Sequence, residues 1–79
     1  MFRENEMTFT RGDDEYLLSL QIVPGEDDGF AWEIVVTENR GGRIVQSKEL
    51  SASSFDTTAE AEADGKAQLL KMFKRHAPN

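Results

Sequence analysis

FDTTAEAEADGKAQLLKMF, residues 55–73, reads as a helix, yet it carries a glycine, Gly65, near its middle. Glycine in a helix interior costs about 1 kcal/mol against alanine. The helix opening is explicit. Thr57 and Glu60 have the spacing of a capping box, in which the threonine hydroxyl takes the Glu60 amide and the carboxylate reaches back. Asp56, Glu60, Glu62 and Asp64 crowd the positive N-terminal half, and Lys66, Lys71, Lys74 and Arg75 the negative C-terminal half. Pro78 ends any continuation, so the spacing predicts a helix over 57–76. On a helical wheel Ala61, Gly65, Leu69, Met72, Phe73 and His76 form one stripe, small at its start and large at its end. Gly65 lies inside that stripe. Its missing side chain predicts a close approach to an aromatic ring, with Trp32, Phe30 and Tyr16 as candidates. A surface glycine at a kink is the competing reading.

Upstream, the period changes to two. EYLLSLQIV, residues 15–23, puts Tyr16, Leu18, Leu20 and Ile22 on one side and Leu17, Ser19, Gln21 and Val23 on the other. PGEDDG, residues 24–29, stops that strand: proline starts the turn and the glycines are expected to supply positive φ. FAWEIVVTE, residues 30–38, is a second strand, with Phe30, Trp32, Ile34 and Val36 sharing a face. NRGG at 39–42 is a hairpin loop and RIVQSKEL at 43–50 a third strand. The facing of this last strand stays open. Ile44 and Leu50 share a parity with Gln46 and Lys48, and a bulge would reconcile them. Residues 1–14 are either a frayed end or a short extra strand, because MTFT at 7–10 also alternates. Short links in the order strand, strand, strand, helix give one α+β domain over residues 1–79. It is an antiparallel meander of three strands over 15–50, or four with 7–10, and one C-terminal helix packs across one face.

Residues 54–65, SFDTTAEAEADG, resemble the Ser-Phe-x-Thr-x-x-Glu-Ala-x-x-x-Gly helix opening of several small uncharacterised bacterial β-β-β-α domains. The likeness covers the last strand and the helix. It implies that fold and a bacterial origin. Those families bring no established activity, so no functional residue carries over. The strand order is also similar to the core of double-stranded-RNA-binding domains. This chain lacks their first helix and their basic helix start, which here holds Asp56, Glu60 and Glu62.

Charge and composition narrow the function classes. The chain has 79 residues and no cysteine, so disulfides and thiolate metal sites are excluded. A domain this small holds a margin of roughly 3–5 kcal/mol unless a partner adds to it. Residues 1–30 carry eight acids against two bases, whereas residues 31–79 are balanced at seven and seven. An acidic first third repels a phosphate backbone, which argues against nucleic acid. The charged start, MFRENEMTFT, is unlike a signal peptide, and Ser19 and Glu33 break the longest apolar stretches. A soluble cytoplasmic protein away from membranes is the expectation.

Candidate chemistry is thin. His76 is the lone histidine, and nothing in the sequence places a nucleophile or acid beside it, so it reads as a helix-end residue. Ser47, Ser51, Ser53 and Ser54 lie outside any nucleophile-elbow context. Glu26, Asp27 and Asp28 are adjacent rather than staggered as a calcium loop requires, and read as a solvated turn. RGD at 11–13 reads as a turn as well. No catalytic, cofactor or metal residue is assigned, and the expectation is not an enzyme. The leading expectation is a protein-interaction or self-association module. A single helix covers one sheet face, leaving Leu17, Val23 and Val35 on the other, where apolar residues rimmed by polar ones mark a contact surface. The alternatives are a nucleic-acid-associated accessory domain using the basic half-helix, and a small-ligand binder or enzyme. Gly65, Trp32, Thr57 and Glu60 are the expected structural residues.

Overall fold

The structure, a computed structural model, describes residues 6–76. Its elements are β1 (Glu6–Arg11), β2 (Asp14–Pro24), β3 (Phe30–Arg40), β4 (Arg43–Leu50) and α1 (Thr58–His76). The four strands form one antiparallel sheet in the order β1-β2-β3-β4, with the helix on one face. The fold is therefore an α+β meander with four strands. The extra strand exists because Met7 and Phe9 add to the core side. Phe9 stacks on Tyr16, with ring centroids 4.7 Å apart, and meets Phe73 edge-on at 5.3 Å. Such aromatic pairs are worth about 0.5–1.5 kcal/mol beyond the area they bury, enough to hold a short edge strand.

Two of the hairpins turn as their residues dictate. Arg40 pairs with Arg43 across Gly41 and Gly42, both at positive φ (56° and 89°), as a two-residue I′ loop demands. Arg11 pairs with Asp14 across Gly12-Asp13, so the RGD tripeptide is turn chemistry. The β2–β3 loop departs from expectation. Its positive φ angles belong to Asp27 (54°) and Asp28 (60°), not to its glycines. Gly25 and Gly29 serve close packing instead: a Cβ on Gly25 would lie 2.5 Å from Ser54 Oγ, and one on Gly29 2.8 Å from the Phe55 carbonyl. Residues 54–55 are laced to this loop. Glu26 N–H donates to Ser54 Oγ, and Phe30 and Phe55 exchange two backbone hydrogen bonds of 2.8 and 2.7 Å.

The core lies between the sheet and the helix. Leu18, Leu20, Trp32, Ile34 and Val36 meet Ala61, Leu69 and Met72, all buried. Gly65 is buried too, and a Cβ built there would sit 2.7 Å from Leu20 Cδ1 and 3.0 Å from Trp32 Cβ and Cγ. The helical glycine thus brings the backbone down onto the indole and Leu20. Thr57 caps the helix: the Glu60 amide donates to Thr57 Oγ1 at 3.1 Å, and the hydroxyl donates onward to the Glu60 carboxylate at 3.2 Å. The side chain of His76, and Pro78, lie outside the described residues.

Candidate functional site

β4 has no helix over it. A helix with its side chains is roughly 10–12 Å across, and strands are spaced by roughly 4.8 Å, so one helix covers about two strands. Here those are β2 and β3. All eight residues of β4 are exposed on both faces. Ile44 is 66 % exposed, Leu50 60 % and Val45 41 %.

The register resolves the facing of β4. Cross-strand partners share a side of the sheet. Ser47 pairs with Val36 and Glu49 with Ile34, so Val45, Ser47 and Glu49 lie on the helix side. Gln46 pairs with Thr37, Lys48 with Val35 and Leu50 with Glu33, so Ile44, Gln46, Lys48 and Leu50 lie on the other. Pairing runs unbroken from Arg40–Arg43 to Glu33–Leu50. The mixed parity is therefore not the trace of a bulge: a strand beyond the helix has no buried side to enforce.

The three expected surface residues all lie on the uncovered face, half-buried by their neighbours, but they are not one cluster. Leu17 pairs with Thr37 and Val35 with Ser19, which makes Leu17 and Val35 diagonal neighbours. Val23 pairs with Ala31 at the other end, and the Gln21–Glu33 pair lies between, tied by a side-chain hydrogen bond. Leu50 completes the surface. Opposite Glu33, it is diagonal to both Ala31 and Val35, so a broken apolar path runs Val23, Ala31, Leu50, Val35, Leu17. Sequence reasoning left Leu50 aside because the facing of its strand was open.

The face is otherwise polar. Gln46 donates to Thr37 Oγ1 at 3.2 Å. A depression of about 560 Å³ near the hairpin end is lined by Thr8, Thr10, Leu17, Thr37, Asn39 and Ile44, among others. It is wide open, and no buried side-chain polar atom among the described residues lacks a partner. Glu26, Asp27 and Asp28 are exposed, and no group of three or more metal-ligating side chains gathers among the described residues.

Charge is arranged along β4. Arg40 is paired to Glu38, whose hydrogen bond and charge raise its pKa above the ordinary arginine value. Arg43, Lys48 and Glu49 are exposed. On the helix, Lys66 pairs with Glu62 at 3.0 Å, which leaves Lys71, Lys74 and Arg75 as the exposed basic end. No helix among the described residues is long and apolar enough to cross a membrane. The chain matches no family model, and no curated protein or solved structure is significantly similar to it.

Proposed function

We propose that this chain is a small interaction module that works by self-association through the half of the sheet its helix leaves bare. One observation carries the reading: β4 is exposed along its whole length while keeping Ile44, Val45 and Leu50. Edge strands that must stay single are usually short, bulged, covered or charged; this one carries Arg43, Lys48 and Glu49, yet it is eight residues long, regular in register and uncovered. A 79-residue chain also gains stability from burying such a surface, because its own core is small. We place the module in the cytoplasm, which its lack of cysteine suits, and assign it no catalytic or cofactor residue.

Sedimentation velocity and light scattering of the whole chain at rising concentration test the reading. The expected result is a twofold mass in the high micromolar range. Val35→Lys, which sets a like charge opposite Lys48 of β4, is expected to lower that mass while far-ultraviolet circular dichroism stays folded. A wild type that remains a monomer at those concentrations overturns self-association.

A further inference from the structure

β4 carries its own pairing instructions. In an antiparallel ladder, successive residues point their N–H and C=O alternately to one neighbour and to the other side. The closing pair of a two-residue hairpin, Arg40–Arg43, bonds within the hairpin. At the other end the Ser51 amide donates to the Trp32 carbonyl at 3.0 Å. Odd-numbered residues of β4 therefore bond to β3. Ile44, Gln46, Lys48 and Leu50 direct their backbone groups to the free edge.

Resting on the self-association reading, we propose that the occupant of this edge is β4 of a second copy. The two strands run antiparallel about a twofold axis at Ser47, perpendicular to the sheet. The register follows from the strand. Four outward residues centred on position 47 all find partners in one alignment, with Ile44 opposite the partner's Leu50 and Gln46 opposite the partner's Lys48. A shift of two residues either way leaves an end residue unpaired, and one of the two shifts sets Lys48 against the partner's Lys48. The chosen alignment joins the most exposed large apolar side chains, Ile44 and Leu50, on the uncovered face. It sets Val45 opposite the partner's Glu49 on the helix side, with Arg43 diagonal to that same carboxylate. It also lays the Arg40–Arg43 hairpin along residues 51–53 of the other copy. Those residues share a surface depression with Glu26 and Asp27, so a basic hairpin meets the acidic loop twice across the axis. Against this stands the diagonal approach of the two Lys48 side chains, at roughly 7–8 Å. The product is one continuous eight-stranded sheet with both helices on one side.

The chain lacks cysteine, so a single introduced thiol reports on the register. Position 47 is a non-hydrogen-bonded pair on the axis, with Cα atoms about 4.5 Å apart, within disulfide reach. Under mild oxidation Ser47→Cys is expected to cross-link most of the chain as a dimer, whereas Ile44→Cys, about six residues from its own copy, forms no cross-link. Gln46→Pro removes an outward N–H and the exposed side-chain bond to Thr37 but leaves the backbone bonds to β3, and is expected to weaken dimerisation by about tenfold or more with the fold kept. Arg43→Glu is expected to weaken it, and adding Glu49→Arg to recover part of the loss, the repulsion from the acidic loop remaining. Equal cross-linking of the two thiols, or a Gln46→Pro variant that dimerises like the wild type, overturns the edge pairing. A dimer split by Val35→Lys but indifferent to Gln46→Pro keeps self-association and overturns this edge, while a wild-type monomer overturns both.

Discussion

Leu17 and Leu18 are adjacent in β2 and chemically identical, yet Leu18 is wholly buried under the helix while Leu17 points to the far face, half-exposed. The same contrast runs through the sheet. On the helix side of β2 and β3 the buried residues are Leu18, Leu20, Trp32, Ile34 and Val36, and their positions are enforced by burial. On the far side apolar residues alternate with Ser19, Gln21, Glu33 and Thr37, joined by side-chain hydrogen bonds such as Gln46 to Thr37. A buried face fixes parity, because a slip of one residue would turn its apolar set to water. An uncovered face fixes little, so β4 can carry apolar residues on both sides.

The largest test of the contrast is at its centre. Ile34 is fully buried, and Ile34→Ala is expected to cost about 2–5 kcal/mol. That is a large share of the margin of roughly 3–5 kcal/mol expected for so small a chain, and at its upper end the whole of it. Urea melts followed by circular dichroism and by the fluorescence of Trp32, the single tryptophan, should show the unfolding midpoint sharply lowered at 25 °C. A loss below 1 kcal/mol would mean that the core is not where the folding energy is concentrated.

Next in size is the helix–sheet contact. Gly65→Leu adds a side chain where even a Cβ would meet Trp32 at 3.0 Å, and overpacking of this kind costs about 1–3 kcal/mol. Leu20 Cδ1 can swing away; the indole root is fixed in the core, so the strain falls on the helix position. A variant as stable as the wild type in urea would show that the close approach is dispensable.

The covered side was readable because two signals agreed. The period-two run of Leu18 and Leu20 and the helical stripe of Ala61, Gly65, Leu69 and Met72 named the same interface, and the glycine named the aromatic ring beneath it. The start of α1 was legible from Thr57 and Glu60, since cap chemistry is local. What stayed hidden depended on long-range geometry. The facing of β4 needed its register with β3, and its exposure the width of a helix. That positive φ falls on Asp27 and Asp28 while Gly25 and Gly29 serve close packing could not be told until Ser54 and Phe55 were seen packed against the loop. The Trp32 indole N–H donates to Asp64 at 2.7 Å, a pairing 32 residues apart. A signal for it existed: a half-buried indole N–H seeks an acceptor, and Asp64 stands beside the glycine that approaches the ring.

That hydrogen bond gives the third test, at the boundary between the two regions. Asp64 is exposed and the indole largely covered, so water replaces part of what Asp64→Ala removes. The expected loss is about 1 kcal/mol, with a changed emission maximum for Trp32 in the folded state. An unchanged spectrum and unchanged urea midpoint would show that the indole N–H finds another acceptor at no cost.

The smallest expected effect separates the two sides most sharply. In an isolated chain Ile44, 66 % exposed, has little burial to lose. Ile44→Thr keeps β-branching and should change stability by less than about 0.5 kcal/mol, against several for Ile34→Ala. That near-silence is specific to dilute protein. Association adds to stability in proportion to the logarithm of concentration, so a chain that pairs through β4 should melt higher as its concentration rises. Ile44→Thr should flatten that slope while leaving the dilute melting temperature where it was. Thermal melts at concentrations spanning two decades read both quantities from one variant. If the dilute protein already loses more than 1 kcal/mol, Ile44 is covered within a single chain and the contrast between the two sides fails. If the wild-type melting temperature is flat across the range, the contrast holds and β4 is a free edge.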